Sequence, residues 1–265
     1  VQLSKEEKKI AREINQDLQI KALHPELVSI WDELDELSLN TFKDDHDNNN
    51  SNSKLNQPND IIIPLLPFQL EGLNWLVHQE QNIKFHGGIL ADEMGMGKTI
   101  QMISLLVTKR LKPNLIVCPT VAILQWYNEI INKTKLNTFK ILIYHGFNRT
   151  KNIKDLLDYD IVLTTYSLIE IGYRRQEQGF MKNRRKSHEK SILHSIHWKR
   201  IILDEAHSIK DRNSSTAKAI FSLNRDIQWS LTGTPLQNRV GELYSLIKFL
   251  NSDPFTYYFC KKCNC

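Results

Sequence analysis

The stretch that decides the fold of this 265-residue chain is Asp92-Glu93-Met94-Gly95-Met96-Gly97-Lys98-Thr99. It follows a short apolar run at 88–91 and opens a helix-like run at 100–110, in the order strand, loop, helix. In that order the glycines let backbone N–H groups turn toward a phosphate, and the helix N-terminus adds the positive end of its dipole. Lys98 would reach the β- and γ-phosphates, and the Thr99 hydroxyl would bind Mg²⁺. The stretch predicts a nucleoside triphosphate site.

A second stretch carries the acidic half of the same chemistry, and it reads Leu203-Asp204-Glu205-Ala206-His207. It follows the apolar run 200–203, which is suited to a buried parallel strand, and places two adjacent carboxylates at the end of that strand. Asp204 would hold the metal and Glu205 would orient the attacking water. The two stretches together, each after a strand, predict hydrolysis of a nucleoside triphosphate.

Apolar runs alternate with helical patterns along most of the chain. Strands are predicted at 88–91, 114–118, 140–144, 160–164, 200–203 and 228–232. Helices are predicted at 68–80, 98–111, 120–133, 213–223 and 240–250. This alternation implies right-handed crossovers and a mostly parallel sheet, whose ligands bind beyond the C-terminal ends of the strands. The predicted fold class is α/β.

The loop at 92–99 departs from the general phosphate-loop pattern, because Asp92 stands where that pattern begins with glycine. This wording resembles the loop of the Swi/Snf-type helicase-like ATPases, a branch of helicase superfamily two. The resemblance extends from residue 65 to the end and also rests on the segments 66–76, 116–120, 160–166, 207–217 and 231–238. It implies a RecA-like three-layer lobe around a mostly parallel sheet.

The resemblance also implies a role for each matched segment. Gln69 in the segment 66–76 would hydrogen-bond adenine, which makes ATP the expected nucleotide. Thr99 and Asp204 would hold its Mg²⁺. His207 would couple the acidic pair to Thr232 and Thr234. The residues implied to be catalytic are Lys98, Asp204, Glu205 and His207, and those implied to touch nucleic acid at strand ends are Pro119, Thr120 and Thr165.

Three of the four cysteines fall in the last six residues, at Cys260, Cys263 and Cys265. A C-x-x-C pair suits two thiolate ligands of a tetrahedral Zn²⁺, and the third cysteine is either a ligand or a bystander. We interpret 253–265 as the start of a truncated zinc module; a chance cluster is the alternative. This tail resembles the fungal excision-repair branch of the family, which carries a RING finger inserted in the ATPase core. Whether the cysteines belong to that finger or to a separate zinc site stays open.

The net charge of +5 is distributed unevenly. Residues 1–60 hold 7 basic and 13 acidic side chains, whereas residues 173–200 hold 9 basic and 2 acidic ones. The basic segment is predicted to contact nucleic-acid phosphates. The alternatives are a solvated insertion and a nuclear-localisation signal. Its arginines with a predicted contact are Arg174, Arg175, Arg184 and Arg185.

Composition divides the chain into four parts, of which the last is the truncated zinc module at 253–265. Residues 1–43 are predicted to form a charged helical segment, and residues 44–60, rich in Asn, Asp and Ser, a disordered linker that buries too little apolar surface to order itself. The lobe itself is predicted at 61–252. No apolar run approaches the about 18 residues of a membrane helix, and neither the N-terminus nor the cysteines indicate secretion. An intracellular protein of the nucleus, without a membrane partner, is expected.

The sequence as a whole predicts the first ATPase lobe of a double-stranded-DNA translocase, acting in nucleotide excision repair or chromatin remodelling. Its expected partners are duplex or nucleosomal DNA, DNA-repair proteins and a second ATPase lobe absent from this chain. An RNA helicase lobe is one alternative, because the wording at 204–207 also occurs in helicases that act on RNA. A largely non-catalytic, zinc-bearing ubiquitin-ligase scaffold is the other. The wording at 92–99 and 231–238 argues against the first alternative. The second is disfavoured because Lys98, Thr99, Asp204 and Glu205 are all intact.

Overall fold

The computed structural model describes residues 56–81, 86–147, 149–150, 152–182, 185–235 and 240–251, all within the compact unit Lys54–Ser252. The side chains at 181, 182, 185, 186, 240 and 241 are not described. The predicted N-terminal segment 1–43, most of the linker 44–60 and the three cysteines of the tail lie outside the described residues. Within the described part of the chain, no helix is long and apolar enough to cross a membrane.

The described residues form eight strands. These are β1 (Gly87–Leu90), β2 (Asn114–Cys118), β3 (Ile141–Ile143), β4 (Ile161–Thr165), β5 (Phe180–Lys182), β6 (Arg185–Ser187), β7 (His197–Leu203) and β8 (Asn224–Leu231). Six of them make one entirely parallel sheet in the order β1-β8-β7-β2-β4-β3. The predicted α/β lobe with a mostly parallel sheet is confirmed. An antiparallel hairpin of β5 and β6 lies in the basic segment, where the sequence pattern predicts no strand.

In the same described residues, seven α-helices connect or flank these strands. They are α1 (Pro67–Gln81), α2 (Lys98–Thr108), α3 (Ile123–Lys133), α4 (Ile153–Leu157), α5 (Tyr166–Glu177), α6 (Ser215–Phe221) and α7 (Val240–Phe249). Short 3₁₀ turns occur at Thr120–Ala122, Leu193–Ser195 and Ala206–Ile209. The five predicted helices are present, whereas the sequence pattern misses α4 and α5. Only Tyr166 and Ile169 of α5 are buried, so its apolar stripe is too narrow to stand out in the sequence.

Helices cover both faces of the sheet, which explains why its strands are continuous apolar runs in the sequence. In β2, Ile116 and Cys118 pack into the cluster that contains α1, α2 and α3, while Leu115 and Val117 pack into the cluster that contains α5 and α6. Because the six strands are parallel, their carboxyl ends all meet at one edge of the sheet. The residues that follow β1, β2, β4, β7 and β8 therefore lie at that edge.

A buried ionic network lies toward the N-terminal ends of the strands, away from the edge where their carboxyl ends meet. The guanidinium of Arg200 donates from Nε and Nη2 to the two carboxylate oxygens of Glu80, at 2.6 and 2.7 Å, and from Nη1 to Asn114 Oδ1 at 2.9 Å. The indole N–H of Trp229 donates to the same carboxylate at 3.0 Å. The Arg200 and Glu80 side chains are both 0% exposed. Arg200 therefore belongs to the core, as its place in the predicted buried strand 200–203 requires, although it also ends the basic segment 173–200.

The chain packs on the lobe before residue 61. The Gln57 side chain donates to the carbonyls of Ile61 and Ile63 and accepts from the N–H of Leu65. Asp60 forms an ion pair of 2.6 Å with Arg110. The last residues of the predicted linker, 56–60, thus form part of the ordered lobe.

Candidate active site

The phosphate loop leaves the end of β1, the edge strand of the sheet, and runs into α2. Two of its glycines adopt left-handed backbone angles, with φ of 88° at Gly95 and 79° at Gly97. A Cβ on Gly97 would lie 2.5 Å from the Gln69 amide nitrogen, so this position also has no space for a side chain. Gly97 is the N-cap of α2, which places the positive end of the helix dipole at the loop.

The Lys98 side chain folds over the loop. Its Nζ donates to the carbonyl oxygens of Asp92 at 2.8 Å and Glu93 at 3.1 Å. These are neutral acceptors, and a phosphate oxygen at the same point would offer the ammonium a charged one. The position of Lys98 is therefore compatible with the phosphate contact that the sequence predicts.

Gln101 explains why an acidic residue is tolerated at the start of this loop. Its Nε2 donates to Asp92 Oδ2 at 2.8 Å, and Gln101 itself is 1% exposed. A Cβ on Gly72 of α1 would come within 2.1 Å of Gln101 Oε1, so α1 holds the amide from behind. The hydrogen bond engages the Asp92 carboxylate with the helix behind the loop.

Gln69 lies against the same loop. Its Oε1 accepts from the Leu66 N–H at 3.0 Å, its Nε2 donates to the Met96 carbonyl at 3.3 Å, and it is 8% exposed. These bonds show that Gln69 braces the phosphate loop. Its contact with adenine stays a prediction.

The acidic pair follows β7 at the centre of the edge. Asp204 Oδ2 accepts from the indole N–H of Trp126 at 2.7 Å, and Oδ1 accepts from the Glu205 N–H at 3.0 Å. Burial and the neighbouring charge of Glu205 raise the pKa of Asp204, while the Trp126 hydrogen bond and the positive charge of Lys98 oppose that rise. Glu205 has a left-handed backbone with φ of 50°, a strained conformation that is common at functional sites.

The predicted coupling residues lie next to this pair. His207 Nδ1 is 3.1 Å from Glu205 Oε2, and His207 lines a small pocket together with Thr232 and Thr234. The Thr234 N–H donates to the Thr232 hydroxyl at 3.2 Å. This segment also reaches the phosphate loop, because a Cβ on Gly233 would lie 3.1 Å from Met94 Cγ and 3.8 Å from Lys98 Nζ. The coupling role of these residues stays a prediction that their placement fits.

The donors at this edge suit Mg²⁺, which prefers oxygen ligands and keeps several waters or phosphate oxygens. Thr99 offers a hydroxyl in the first turn of α2, and Asp204 offers a carboxylate that is influenced by the charge of Lys98. Among the described residues no group of three or more His, Cys, Asp or Glu could hold a metal by itself. A metal held partly by the phosphates of its substrate fits this donor set.

Three of the predicted nucleic-acid residues, Pro119, Thr120 and Thr165, lie at the C-terminal ends of β2 and β4, at the same edge of the sheet as the acidic pair. Thr120 is exposed and Pro119 is half-buried at the end of β2. Thr165 is 2% exposed, and its hydroxyl caps α5 by accepting from the Leu168 N–H at 3.3 Å, so this hydroxyl is already engaged. Arg174 and Arg175 are exposed on α5, each 3.4 Å from a carboxylate, of Glu170 and Glu189 respectively. Arg184 and the side chain of Arg185 lie outside the described residues.

Sequence reasoning missed three residues that support this site. Gln101 positions Asp92, while Trp126 and Tyr166 both hydrogen-bond to Asp204. The sequence pattern predicts that Trp126 packs, and it does pack, but its indole N–H also has a polar partner. The sequence did offer one indication of this role, because Trp126 falls in the predicted helix 120–133, which begins at the predicted nucleic-acid residue Thr120.

Comparison with known proteins places this geometry in a family. A family model described as the SNF2-related domain matches residues 68–261. The ATP-dependent helicase rhp16 of Schizosaccharomyces pombe is 47% identical over 245 residues, which are 91% of this chain and 27% of that protein. DNA repair protein RAD5B of Arabidopsis thaliana is 36% identical over 203 residues, 64% of this chain and 15% of its own length. This chain thus spans well under two thirds of these relatives.

A solved structure agrees with the sequence matches. The Sulfolobus solfataricus SWI2/SNF2 ATPase core in complex with dsDNA superposes with a TM-score of 0.60 at 30% sequence identity. The match covers 76% of this chain and 38% of the solved chain. The fold around the candidate site is therefore that of a SWI2/SNF2 ATPase core.

Proposed function

Because this chain belongs to the SNF2-related domain family, we propose that it is the first ATPase lobe of an ATP-dependent translocase that acts on double-stranded DNA. The observation that supports this most is the convergence of the Lys98 loop, the acidic pair after β7 and the segment 231–235 at one edge of the sheet. Each of the three contributes a different function to phosphoryl transfer, and their contacts make them one site.

The chain's own side chains divide the proposed reaction between them. Lys98 would exchange its two carbonyl acceptors for phosphate oxygens, and Gln69 would hold the loop while reading the base. Glu205, with His207 beside it, would orient the attacking water. Thr99 and Asp204 would hold Mg²⁺, which would supply positive charge to neutralise the phosphates. Thr232 and Thr234 would report the state of this site to the rest of the lobe.

A second lobe would complete the enzyme. An arginine finger, inserted toward the γ-phosphate by another element, is worth on the order of 10³–10⁵ in rate where it has been measured. We propose that a second lobe of the full-length protein supplies it. On this account the isolated chain hydrolyses ATP poorly and the full-length protein does not.

Duplex DNA is the proposed nucleic-acid substrate of the translocase. Pro119 and Thr120 extend from the same edge as the acidic pair, and a SWI2/SNF2 core of the same fold was solved with dsDNA. RAD5B and other relatives are named as DNA repair proteins, which supports a role in repair in the nucleus, through excision repair or chromatin remodelling with repair-protein partners.

We also propose that Cys260, Cys263 and Cys265 begin a zinc site, and that replacing Cys263 with serine in a longer chain removes one zinc ion.

Stimulation of ATP hydrolysis by nucleic acid tests the proposed function. In the full-length protein, duplex DNA is expected to raise the ATPase rate at least tenfold, and single-stranded RNA of equal length is not. Stimulation by the RNA alone would identify an RNA helicase. A full-length protein without ATPase activity under any of these conditions would favour a scaffold.

The basic segment is expected to contribute to DNA binding by neutralising phosphates. Joint replacement of Arg174, Arg175, Arg184, Arg185 and Lys186 by glutamine should weaken duplex binding and flatten its salt dependence. The slope of log affinity against log salt is negative, and its magnitude should decrease by about 0.9 for each phosphate that the variant no longer neutralises. Fluorescence anisotropy at several salt concentrations measures this slope.

Arg110 provides a matched control for that experiment. It is exposed near the C-terminal end of α2, at the opposite edge of the sheet, where it pairs with Asp60. Replacing Arg110 by glutamine should leave the slope unchanged. If the multiple variant keeps the wild-type slope as well, the segment is a solvated insertion.

A further inference from the structure

Two aromatic side chains reach Asp204 from opposite faces of the sheet. The indole N–H of Trp126 donates to Asp204 Oδ2, and the hydroxyl of Tyr166 donates to the Asp204 carbonyl oxygen, both at 2.7 Å. Trp126 belongs to the core cluster of one face and Tyr166 to that of the other. They are 1% and 7% exposed. Asp204 is thus bound at its side chain and at its backbone by groups that water does not reach freely.

Each aromatic residue also follows closely after a strand end that the sequence predicts to touch nucleic acid, Pro119-Thr120 after β2 and Thr165 at the end of β4. Trp126 lies six residues after Thr120, and the 3₁₀ turn Thr120–Ala122 continues directly into the helix that carries the indole. Tyr166 is the first residue of α5, immediately after its N-cap Thr165. A displacement of either strand end would therefore move a hydrogen-bond donor of Asp204, because the donor lies in the helical segment that begins there.

We propose that Trp126 and Tyr166 are positioning residues that transmit DNA occupancy of the strand ends at Pro119-Thr120 and Thr165 to Asp204. This inference rests on the proposed function, since it assumes that duplex DNA stimulates ATP hydrolysis. The element that moves on one side is the continuous helical segment 120–133, and on the other side it is the N-terminus of α5. Trp126 would set the direction of the Asp204 carboxylate directly, and Tyr166 would do so through the Asp204 backbone. Neither side chain would touch the nucleotide or the DNA.

The physical argument is that an outer partner fixes the orientation of a metal-binding side chain. Removing such a partner typically costs 10–100-fold in metal affinity or activity. Asp204 Oδ1 is held by the backbone of its own turn, so Trp126 is the partner of the carboxylate that comes from a distant element. Without DNA, the orientation of the Asp204 carboxylate is set by the hydrogen bonds described here. With DNA bound, the orientation would change with any displacement of the two strand ends.

Two substitutions separate coupling from simple support. Tyr166→Phe removes one hydroxyl, and Trp126→Phe removes the indole N–H while keeping an aromatic ring. Trp198→Phe is the control for the tryptophan, because Trp198 is 0% exposed and donates to a backbone carbonyl, that of Leu193. Tyr127→Phe is the control for the tyrosine, since Tyr127 is half-buried on the helix that carries Trp126.

The readout is the ratio of the ATPase rate with saturating duplex DNA to the rate without it, in the full-length protein. We expect this ratio to fall at least fivefold in Tyr166→Phe and in Trp126→Phe, and to stay within twofold of wild type in both controls. A purely structural role would lower both rates in proportion and leave the ratio unchanged. An unchanged ratio in both test variants overturns the inference.

Binding provides a second readout that needs no turnover. A coupling free energy between two binding sites is reciprocal. Because the inference has DNA change the Mg²⁺-binding carboxylate of Asp204, a non-hydrolysable ATP analogue with Mg²⁺ should change wild-type affinity for duplex DNA. In the two test variants this change should shrink toward onefold, while affinity for DNA without nucleotide stays within twofold of wild type. If wild type binds duplex DNA but is not stimulated by it, the proposed function and the inference fall together. If wild type is stimulated and the variants keep both the ratio and the affinity change, only the inference falls.

Discussion

Replacing Lys98 by alanine is expected to reduce ATP hydrolysis by the full-length protein to less than about a tenth of the wild-type rate. Loss of a charge-assisted hydrogen bond costs about 1.5–3 kcal/mol, and each 1.36 kcal/mol is tenfold in rate. The fold should remain intact, because Lys98 bonds only to two carbonyls of its own loop. Steady-state ATPase assays and the thermal unfolding temperature measure both effects.

Lys218 serves as the control for this substitution, because it is an exposed lysine on α6, away from the phosphate loop. Lys218→Ala should leave the ATPase rate within twofold of wild type. If Lys98→Ala retains more than about a tenth of the wild-type rate, Lys98 does not carry the proposed phosphate contact.

Glu205→Gln should separate binding from hydrolysis at the same site. The amide keeps the shape of the side chain and loses the charge that would orient water. The variant is expected to bind ATP with near wild-type affinity and to hydrolyse it at least a hundredfold more slowly, since loss of a catalytic base commonly costs 10²–10⁴-fold. Loss of nucleotide binding would show that Glu205 has another role.

The largest effect on stability is expected from Arg200→Ala. This change leaves the Glu80 carboxylate buried with an uncompensated charge, which typically destabilises a protein by about 3–5 kcal/mol. For a domain of this size, 1 kcal/mol corresponds to about 2–4 °C, so the unfolding temperature should fall by roughly 6–20 °C. Thermal and denaturant unfolding of the wild type and the variant measure the difference.

Two comparisons make the interpretation specific. Arg110→Ala breaks the exposed pair with Asp60, in which the side chains are 51% and 36% exposed, and should cost at most about 1 kcal/mol. Arg200→Met combined with Glu80→Gln removes both charges and should be less destabilising than Arg200→Ala alone. A cost for Arg200→Ala as small as that of Arg110→Ala would show that the Glu80 carboxylate finds another hydrogen-bond partner.

The sequence alone determined the parts of this protein whose cause is local. The phosphate loop is contiguous, and its glycines are required because φ is positive at Gly95 and Gly97. The apolar strands are legible because both faces of the sheet are covered. The wording at 92–99 and 231–238 indicated the family that the comparisons show. The predicted order of strands and helices is confirmed, apart from α4, α5 and the hairpin.

Only the tertiary structure decided which distant residues meet. Trp126 and Asp204 are 78 residues apart, and Arg200 and Glu80 are 120 apart. Their contacts depend on the strand order, in which β7 lies between β8 and β2. Hydrophobic periodicity reports how far a side chain is buried, but it carries no information on the partner of a buried N–H or guanidinium. For that reason the sequence presents Trp126 as packing and Arg200 as the first residue of a predicted strand, without a partner for either, whereas the fold makes one a partner of Asp204 and the other the centre of a buried network.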